Sequence, residues 1–417
     1  MRLMRGIGVI SCLLLAGCVG MQVRENRPGK AAVWVKRLPK SGHYQLMVER
    51  KPYFVRGVCY APVAIGESHA SNFMTDPRKP WLIDGPLMRD MGVNTIRLYH
   101  PGDDLAACRQ MVDELYALYG IRTIMGHSLG FWDYPPANYT EPEFLEIVTE
   151  DVLAMVVALK DSPAVLFWNL GNENNYSFDG RINPWSDAAI DALPSFNEKR
   201  LARARIYYTF VNELARKIKA IDPDHPVSLG NGETVGLDIA GQYCPDIDIL
   251  GSIVYRGGSF GNFFKEVKRK FDRPVVVTEF GCDAFNAVTQ KEDQKNQAKF
   301  IRNQWVDLLR HVAGGTEDGN CLGGVIFEWN DEWWKSSECD ASNWKTHDTV
   351  AGWGMGAYNF DAAAERNMNE EWFGIVALEP ATAPGGLDTR LLRKAYYDLQ
   401  ELWQKKHLPA ANQAPKK

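Results

Sequence analysis

The sequence predicts an α/β protein: a (β/α)8 barrel with an N-terminal hairpin and aromatic-rich loop insertions. Three observations predict it. Eight short apolar runs alternate with segments whose apolar residues recur at helical spacing. The runs are continuous rather than alternating, as expected for strands buried on both faces of a parallel sheet. The first run lacks the Gly-x-Gly-x-x-Gly turn of a doubly wound dinucleotide fold, because Val58 leads into Cys59-Tyr60-Ala61-Pro62. A length of 417 residues suits one such barrel with insertions.

The N-terminus is a separate element. Arg2 and Arg5 precede an apolar run from Ile7 to Leu15, too short for a permanent membrane span. Leu15-Ala16-Gly17-Cys18 follows. This reads as an export signal, and it resembles a bacterial lipobox. That resemblance implies a signal over residues 1–18 and a lipid on Cys18. With Val19 next, it implies anchoring at a bacterial membrane, the outer one in a cell that has two. A plain secretory signal with an incidental Cys is the alternative. Residues 19–43, polar and rich in Lys, Arg, Pro and Gly, read as a tether.

The barrel domain is expected over 44–407. Tyr44 to Glu49 and Tyr53 to Val58 flank Arg50-Lys51-Pro52 as a hairpin leading in. The strand-like runs are 54–58, 94–99, 121–126, 165–170, 226–230, 247–254, 274–278 and 323–328. Between them, Leu105 to Leu118, Phe144 to Leu159, Ile206 to Ile218 and Phe300 to Leu309 carry the helical period. Residues 174–195 form a polar insertion after the fourth run. Residues 329–372 form a second, with Trp329, Trp333, Trp334, Trp344, Trp353 and Trp372. Thr389 to Lys406 reads as a closing helix and 408–417 as a flexible tail.

Composition excludes some classes. Net charge is −5 without a basic stripe, which argues against nucleic acid. Of eight Cys, six remain after Cys12 and Cys18 are set aside. An exported chain can pair them in up to three disulfides or bury them as thiols. No Cys-x-x-Cys pair or His/Cys cluster points to zinc. No cofactor is expected.

Two runs carry chemistry. Phe167-Trp168-Asn169-Leu170-Gly171-Asn172-Glu173 ends the fourth strand in an Asn-Glu pair, and Pro274-Val275-Val276-Val277-Thr278-Glu279 ends the seventh in a second Glu. Both tips lie on the C-terminal face, where barrel active sites form. Two carboxyl groups across one mouth are what glycosidic-bond cleavage requires: about 5 Å apart in retaining enzymes, about 6.5–9.5 Å in inverting ones. Alone, a Glu in a strand-end loop is more often merely solvated; it is the Asn-Glu pair together with the barrel interval that lifts these two above that reading.

The pattern resembles clan A retaining glycoside hydrolases. Tyr53 to Val58 with Tyr60 and Pro62, Leu87 to Tyr99, Val277 to Cys282 and Gly323 to Glu328 are similar to fungal cell-wall β-1,3-glucanosyltransferases. Asn172-Glu173 and Glu371-Trp372-Phe373-Gly374 are similar to the barrel domains of β-galactosidase-like and β-glucuronidase-like enzymes. The resemblance implies a retaining glycosidase or transglycosylase acting on oligosaccharide or polysaccharide substrates with β linkages, β-glucan among them. It implies Glu173 as acid/base, Glu279 as nucleophile, and Asn172 on the sugar 2-hydroxyl. It further implies Arg97 holding the nucleophile ionised, Tyr255 hydrogen-bonded to it, and Trp329 as the ring beneath the reacting sugar. Trp132 and Tyr134, after the third strand, are candidate sugar platforms, and His100 and His127 stand near the mouth. Glu328 and Asp331 either bind hydroxyls or pair with nearby cations. The rival reading is a non-catalytic glycan-binding or cell-envelope lipoprotein on the same barrel.

Overall fold

A computed structural model describes residues 33–133, 135–180, 182–335, 340–350 and 368–404. The export signal, Cys18, Tyr134, Cys339, Trp353 and the 408–417 tail lie outside the described residues.

Eight parallel strands close into a barrel, in the order of their sequence. They are Val55–Cys59, Thr95–Leu98, Arg122–His127, Val165–Leu170, Val227–Gly232, Ile249–Ile253, Val275–Gly281 and Cys321–Phe327. The eighth pairs with the first, Gly323 opposite Val55 and Ile326 opposite Val58, which completes the ring. Every residue of the fourth, fifth, sixth and eighth strands is buried, as continuous apolar runs require. The (β/α)8 fold is thus the architecture of the chain.

Helices cover the outside. Leu105–Tyr119 starts where Asp104 accepts hydrogen bonds from the Ala106 and Ala107 amides. It stops at Gly120, in the left-handed conformation. Pro142–Leu159 has Pro at its first position, where a missing amide hydrogen is harmless. Phe196–Ile221 begins at Ser195, which accepts from the Glu198 amide and bonds the Glu198 carboxylate. Gln294–Arg310 and Lys394–Gln404 pack on one another beside the eighth strand.

Three boundaries differ from the sequence reading. Val33–Arg37, inside the expected tether, is a strand paired antiparallel with Tyr44–Val48. Its alternating Val33, Val35 pattern is short, and the polar surroundings hid it. The hairpin into the barrel closes on Lys51–Tyr53, while Val55–Cys59 already belongs to the barrel. The expected closing helix is a strand, Thr389–Leu392, followed by the helix Lys394–Gln404. The strand pairs with Val376–Glu379. Arg390 in its middle reaches the fully buried Asp84 through Nε at 2.9 Å and Nη2 at 3.1 Å, and that pair fixes an extended backbone there. Cys59, Cys108, Cys244 and Cys321 are buried free thiols, and Cys282 is buried with its thiol donating to the Asp283 carbonyl at 3.5 Å.

Candidate active site

The tip of the fourth strand is bent by its own sequence. Gly171 takes φ 89°, and a Cβ there would lie 2.4 Å from the Tyr207 hydroxyl. Glu173 takes φ 63°, a left-handed conformation that costs a non-glycine residue about 1–3 kcal/mol. The next two residues hold the bend. The Asn174 side-chain oxygen accepts from the Asn172 amide at 2.6 Å, while its nitrogen donates to the Ser128 carbonyl at 2.9 Å and the Tyr139 hydroxyl at 2.7 Å. Asn175 closes a two-way bond with the backbone of Gly232. A strained residue so firmly held is typical of a functional position.

Five strands, or the loops after them, then converge. Arg97, 1% exposed, lies at the centre. Its Nη1 donates to Glu279 Oε2 at 3.0 Å and to the Thr278 carbonyl at 3.0 Å, and its Nη2 donates to Asn172 Oδ1 at 2.6 Å. One guanidinium therefore ties the seventh strand to the residue before Glu173. The Tyr255 hydroxyl donates to the other oxygen of Glu279, Oε1, at 2.8 Å. Trp132, half exposed, donates through its indole nitrogen to the Asn172 carbonyl at 3.0 Å. Glu279, Arg97, Asn172, Tyr255 and Trp132 are thus brought into one network, with Glu173 adjoining it.

The two glutamates have unlike surroundings. Glu279 receives three donors. Glu173 is half-buried, and desolvation of its carboxyl, followed by the charges of Glu279 and Glu370, pushes it up to about 8. A carboxyl raised in this way, beside one gripped by three donors, gives the two glutamates the different settings that acid–base chemistry needs.

Tyr99 was not singled out from sequence, although its hydroxyl donates to Glu279 Oε2 at 2.6 Å. Period-two alternation along the second strand was the available signal, because Tyr99 sits two residues past Arg97. Its ring also lies under the Arg97 guanidinium, 4.3 Å from centre to carbon. Tyr99→Phe and Tyr255→Phe each delete one bond to a charged carboxylate, worth about 1.5–3 kcal/mol. Each is expected to lower kcat/KM on an aryl glycoside about 10- to 100-fold while the folded protein persists. Unchanged rates in both would remove these tyrosines from the site.

Trp329 requires a correction. The ring has no exposed surface and packs edge-on against Tyr396. A platform for sugar must be accessible, so Trp329 is core. It follows the last residue of the eighth strand by two positions, and its peptide bonds back to Cys59 and Val376. His127 ends the third strand half-buried. Its Nδ1 accepts from the Leu129 amide, and burial lowers its pKa. It is near the mouth but outside the Glu279 network. His100 similarly accepts from the Gly102 amide. Asp331 is the partner of a cation: Arg393 grips it with Nη1 at 2.5 Å and Nη2 at 2.8 Å, both side chains buried. Several tryptophans of the eighth loop stack on histidine and phenylalanine rings. Trp333 stacks on His347 at 4.7 Å, His347 on Trp372 at 3.5 Å, and Trp372 on Phe285 at 5.1 Å. Among the described residues no cluster of His, Cys, Asp and Glu is arranged to hold a metal.

Comparison with known proteins follows this geometry. Residues 45–329, more than half of the chain, match the family described as glycosyl hydrolases family 2, TIM barrel domain. No curated protein matches the sequence. Among solved structures, a β-D-glucuronidase of Dictyoglomus thermophilum is similar at a TM-score of 0.56 and 15% identity, over 89% of this chain and 54% of that one. A β-galacturonidase of Eisenbergiella tayi bound to galacturonate is similar at a TM-score of 0.55 and 15% identity, over 89% and 54%. A β-glucuronidase of Bacteroides uniformis is similar at a TM-score of 0.56 and 16% identity, over 90% and 38%. The chain spans about half the length, or less, of these structures, and at such identity the likeness is one of fold. The resemblance to clan A glycosidase barrels is supported by these matches; the one to fungal glucanosyltransferases is not shown.

Proposed function

This chain belongs to glycosyl hydrolases family 2 through its TIM barrel domain, and we propose that it is a glycosidase of β-linked glycans that works by a retaining, two-step displacement. Glu279 attacks the anomeric carbon while the Glu173 carboxyl gives its proton to the departing oxygen. A covalent glycosyl-enzyme forms. The Glu173 carboxylate then takes a proton from water, or from a sugar hydroxyl, and that oxygen displaces Glu279. Arg97, Tyr99 and Tyr255 aim the nucleophile. Arg97 occupies the amide oxygen of Asn172, which leaves the amide nitrogen to donate to the sugar 2-hydroxyl.

The observation that carries this reading is the single guanidinium of Arg97 joining Glu279 to Asn172, beside a Glu173 carboxyl pushed up to about 8. Incubation of the purified protein with β-glucan, β-galactan and β-mannan oligosaccharides tests it. The expected products keep the β anomer when first formed, as NMR reads directly. Products longer than the substrate assign transfer to an acceptor sugar; only shorter ones assign hydrolysis. An initial α anomer contradicts the mechanism.

Cys18 is proposed as a lipid anchor that holds the barrel at a bacterial membrane, on the strength of Leu15-Ala16-Gly17-Cys18. Cys18→Ser is expected to move the protein from the membrane to the soluble fraction. Unchanged membrane partition would contradict it.

A further inference from the structure

A second group of charges stands beside the catalytic pair, and the mechanism above does not use it. Glu328 and Glu332 follow the eighth strand and are 2% and 5% exposed. Lys335 lies three residues past Glu332, and Glu370 opens the short turn Glu370–Trp372. The Lys335 ammonium lies 3.2 Å from Glu332 Oε2 and 3.3 Å from Glu370 Oε2. It sits over the rings of Phe327 and Trp334, at 5.6 and 5.2 Å. Glu328 Oε1 is buried without a hydrogen-bond partner among the described residues.

This group stands beside the partners of the nucleophile: Phe373, three residues past Glu370, meets the Tyr255 ring at 5.9 Å and the Phe327 ring at 5.5 Å, and Tyr255 bonds Glu279. The charges of Glu370 and Lys335 act on Glu173, and that of Glu279 acts on Glu332. Glu332 and Glu370 therefore stand at the same mouth as Glu173 and Glu279. Arg97 and Lys335, whose charges act on Glu173, are each already bonded to carboxylates. A sugar carboxylate entering here would find both of these cations engaged. It would stand against Glu332 and Glu370, and like charges brought together in a partly buried site repel.

Resting on the retaining mechanism proposed above, we infer that Glu370, held by Lys335 beside Glu332, is a specificity-determining residue that makes the reacting subsite take uncharged β-hexosides and turn uronides away. The structural neighbours named above are called glucuronidase and galacturonidase, so this chain differs from them in the charge of the sugar it accepts.

The test compares 4-nitrophenyl β-glucoside and β-galactoside with the matching β-glucuronide and β-galacturonide, using the wild-type protein and the variants Glu370→Gln and Lys335→Gln. The wild type is expected to favour the neutral member of its better pair by about 100-fold or more in kcat/KM. Removing one negative charge with Glu370→Gln is expected to narrow that ratio about tenfold. It also removes a charge that raises Glu173, so the alkaline limb of the pH profile moves to lower pH. Lys335→Gln is expected to widen the ratio. Circular dichroism checks that each variant is folded, and a ratio unmoved in both folded variants overturns the assignment. So does a wild type that prefers either uronide to its neutral partner, although the retaining mechanism survives that outcome. Turnover of none of the four, with cleavage of one of the oligosaccharides above, overturns the specificity and leaves the mechanism standing.

Discussion

Glu279→Gln is expected to lower kcat by about ten-thousandfold or more on any substrate that the wild type cleaves, because loss of a covalent nucleophile removes the step that divides the reaction in two. Gln is chosen over Ala for a structural reason. Arg97 is buried, and taking away its carboxylate partner altogether would leave an uncompensated cation, which typically costs about 3–5 kcal/mol. The Gln side chain retains an oxygen in the Oε2 position for the guanidinium and the Tyr99 hydroxyl, while its amide nitrogen takes the Oε1 position, where the Tyr255 hydroxyl can turn to accept. The expected result is thus a folded protein that binds glycan and does not turn it over. Kinetics on the best substrate, alongside a urea melt, separates the two effects. A variant that is folded and retains more than a few per cent of activity would deny Glu279 its role.

The second large effect belongs to Glu173. Burial, then Glu279, then Glu370 raise its carboxyl to about 8, so it is protonated at neutral pH and able to give its proton to a leaving oxygen. The sign follows from that: kcat/KM holds below about pH 8 and falls above it, roughly tenfold for each further pH unit, as the proton is lost. Glu173→Gln should abolish that alkaline limb. It should also slow the cleavage of sugar leaving groups by about 10²–10⁴-fold, the usual contribution of a positioned acid. An aryl leaving group with a low pKa needs little help from an acid, so its first step should be much less affected. A pH–rate profile of wild type and variant on one alkyl and one aryl glycoside measures both. An alkaline limb that persists in the variant would assign the titration to another group.

The sequence made the barrel legible because a closed parallel sheet leaves no strand half exposed. Each strand had to be a short unbroken apolar run, and all eight were recognisable. The two glutamates were legible for a related reason: polar residues at the ends of such runs have nowhere to point but the barrel mouth. Arg97, Asn172, Tyr255 and Trp132 also converge there. Tyr99 escaped because an aromatic residue in a strand looks like ordinary packing, and only its spacing from Arg97 marked it. The position of Trp329 was readable, but whether its ring faces the pocket or the core depends on a backbone path after Phe327 that spacing cannot supply. The Lys335, Glu332 and Glu370 group was invisible for a different reason. Lys335 and Glu370 are far apart in the chain, on an insertion without periodicity, and only the folded loop brings their charges within 3.3 Å. Thr389–Leu392 was taken into a helix because its leucines also suit that period; the buried pair of Arg390 with Asp84, more than 300 residues away, decides it.

The central claim is that Glu279 becomes covalently bonded to the sugar. Inactivating the enzyme with a 2-deoxy-2-fluoro β-glycoside of its preferred sugar, then mapping the peptides by mass, tests it most directly. The account predicts one fluoroglycosyl group per chain, on the peptide that contains Glu279, and none in Glu279→Gln. A label on Glu173 or on any other residue would contradict it.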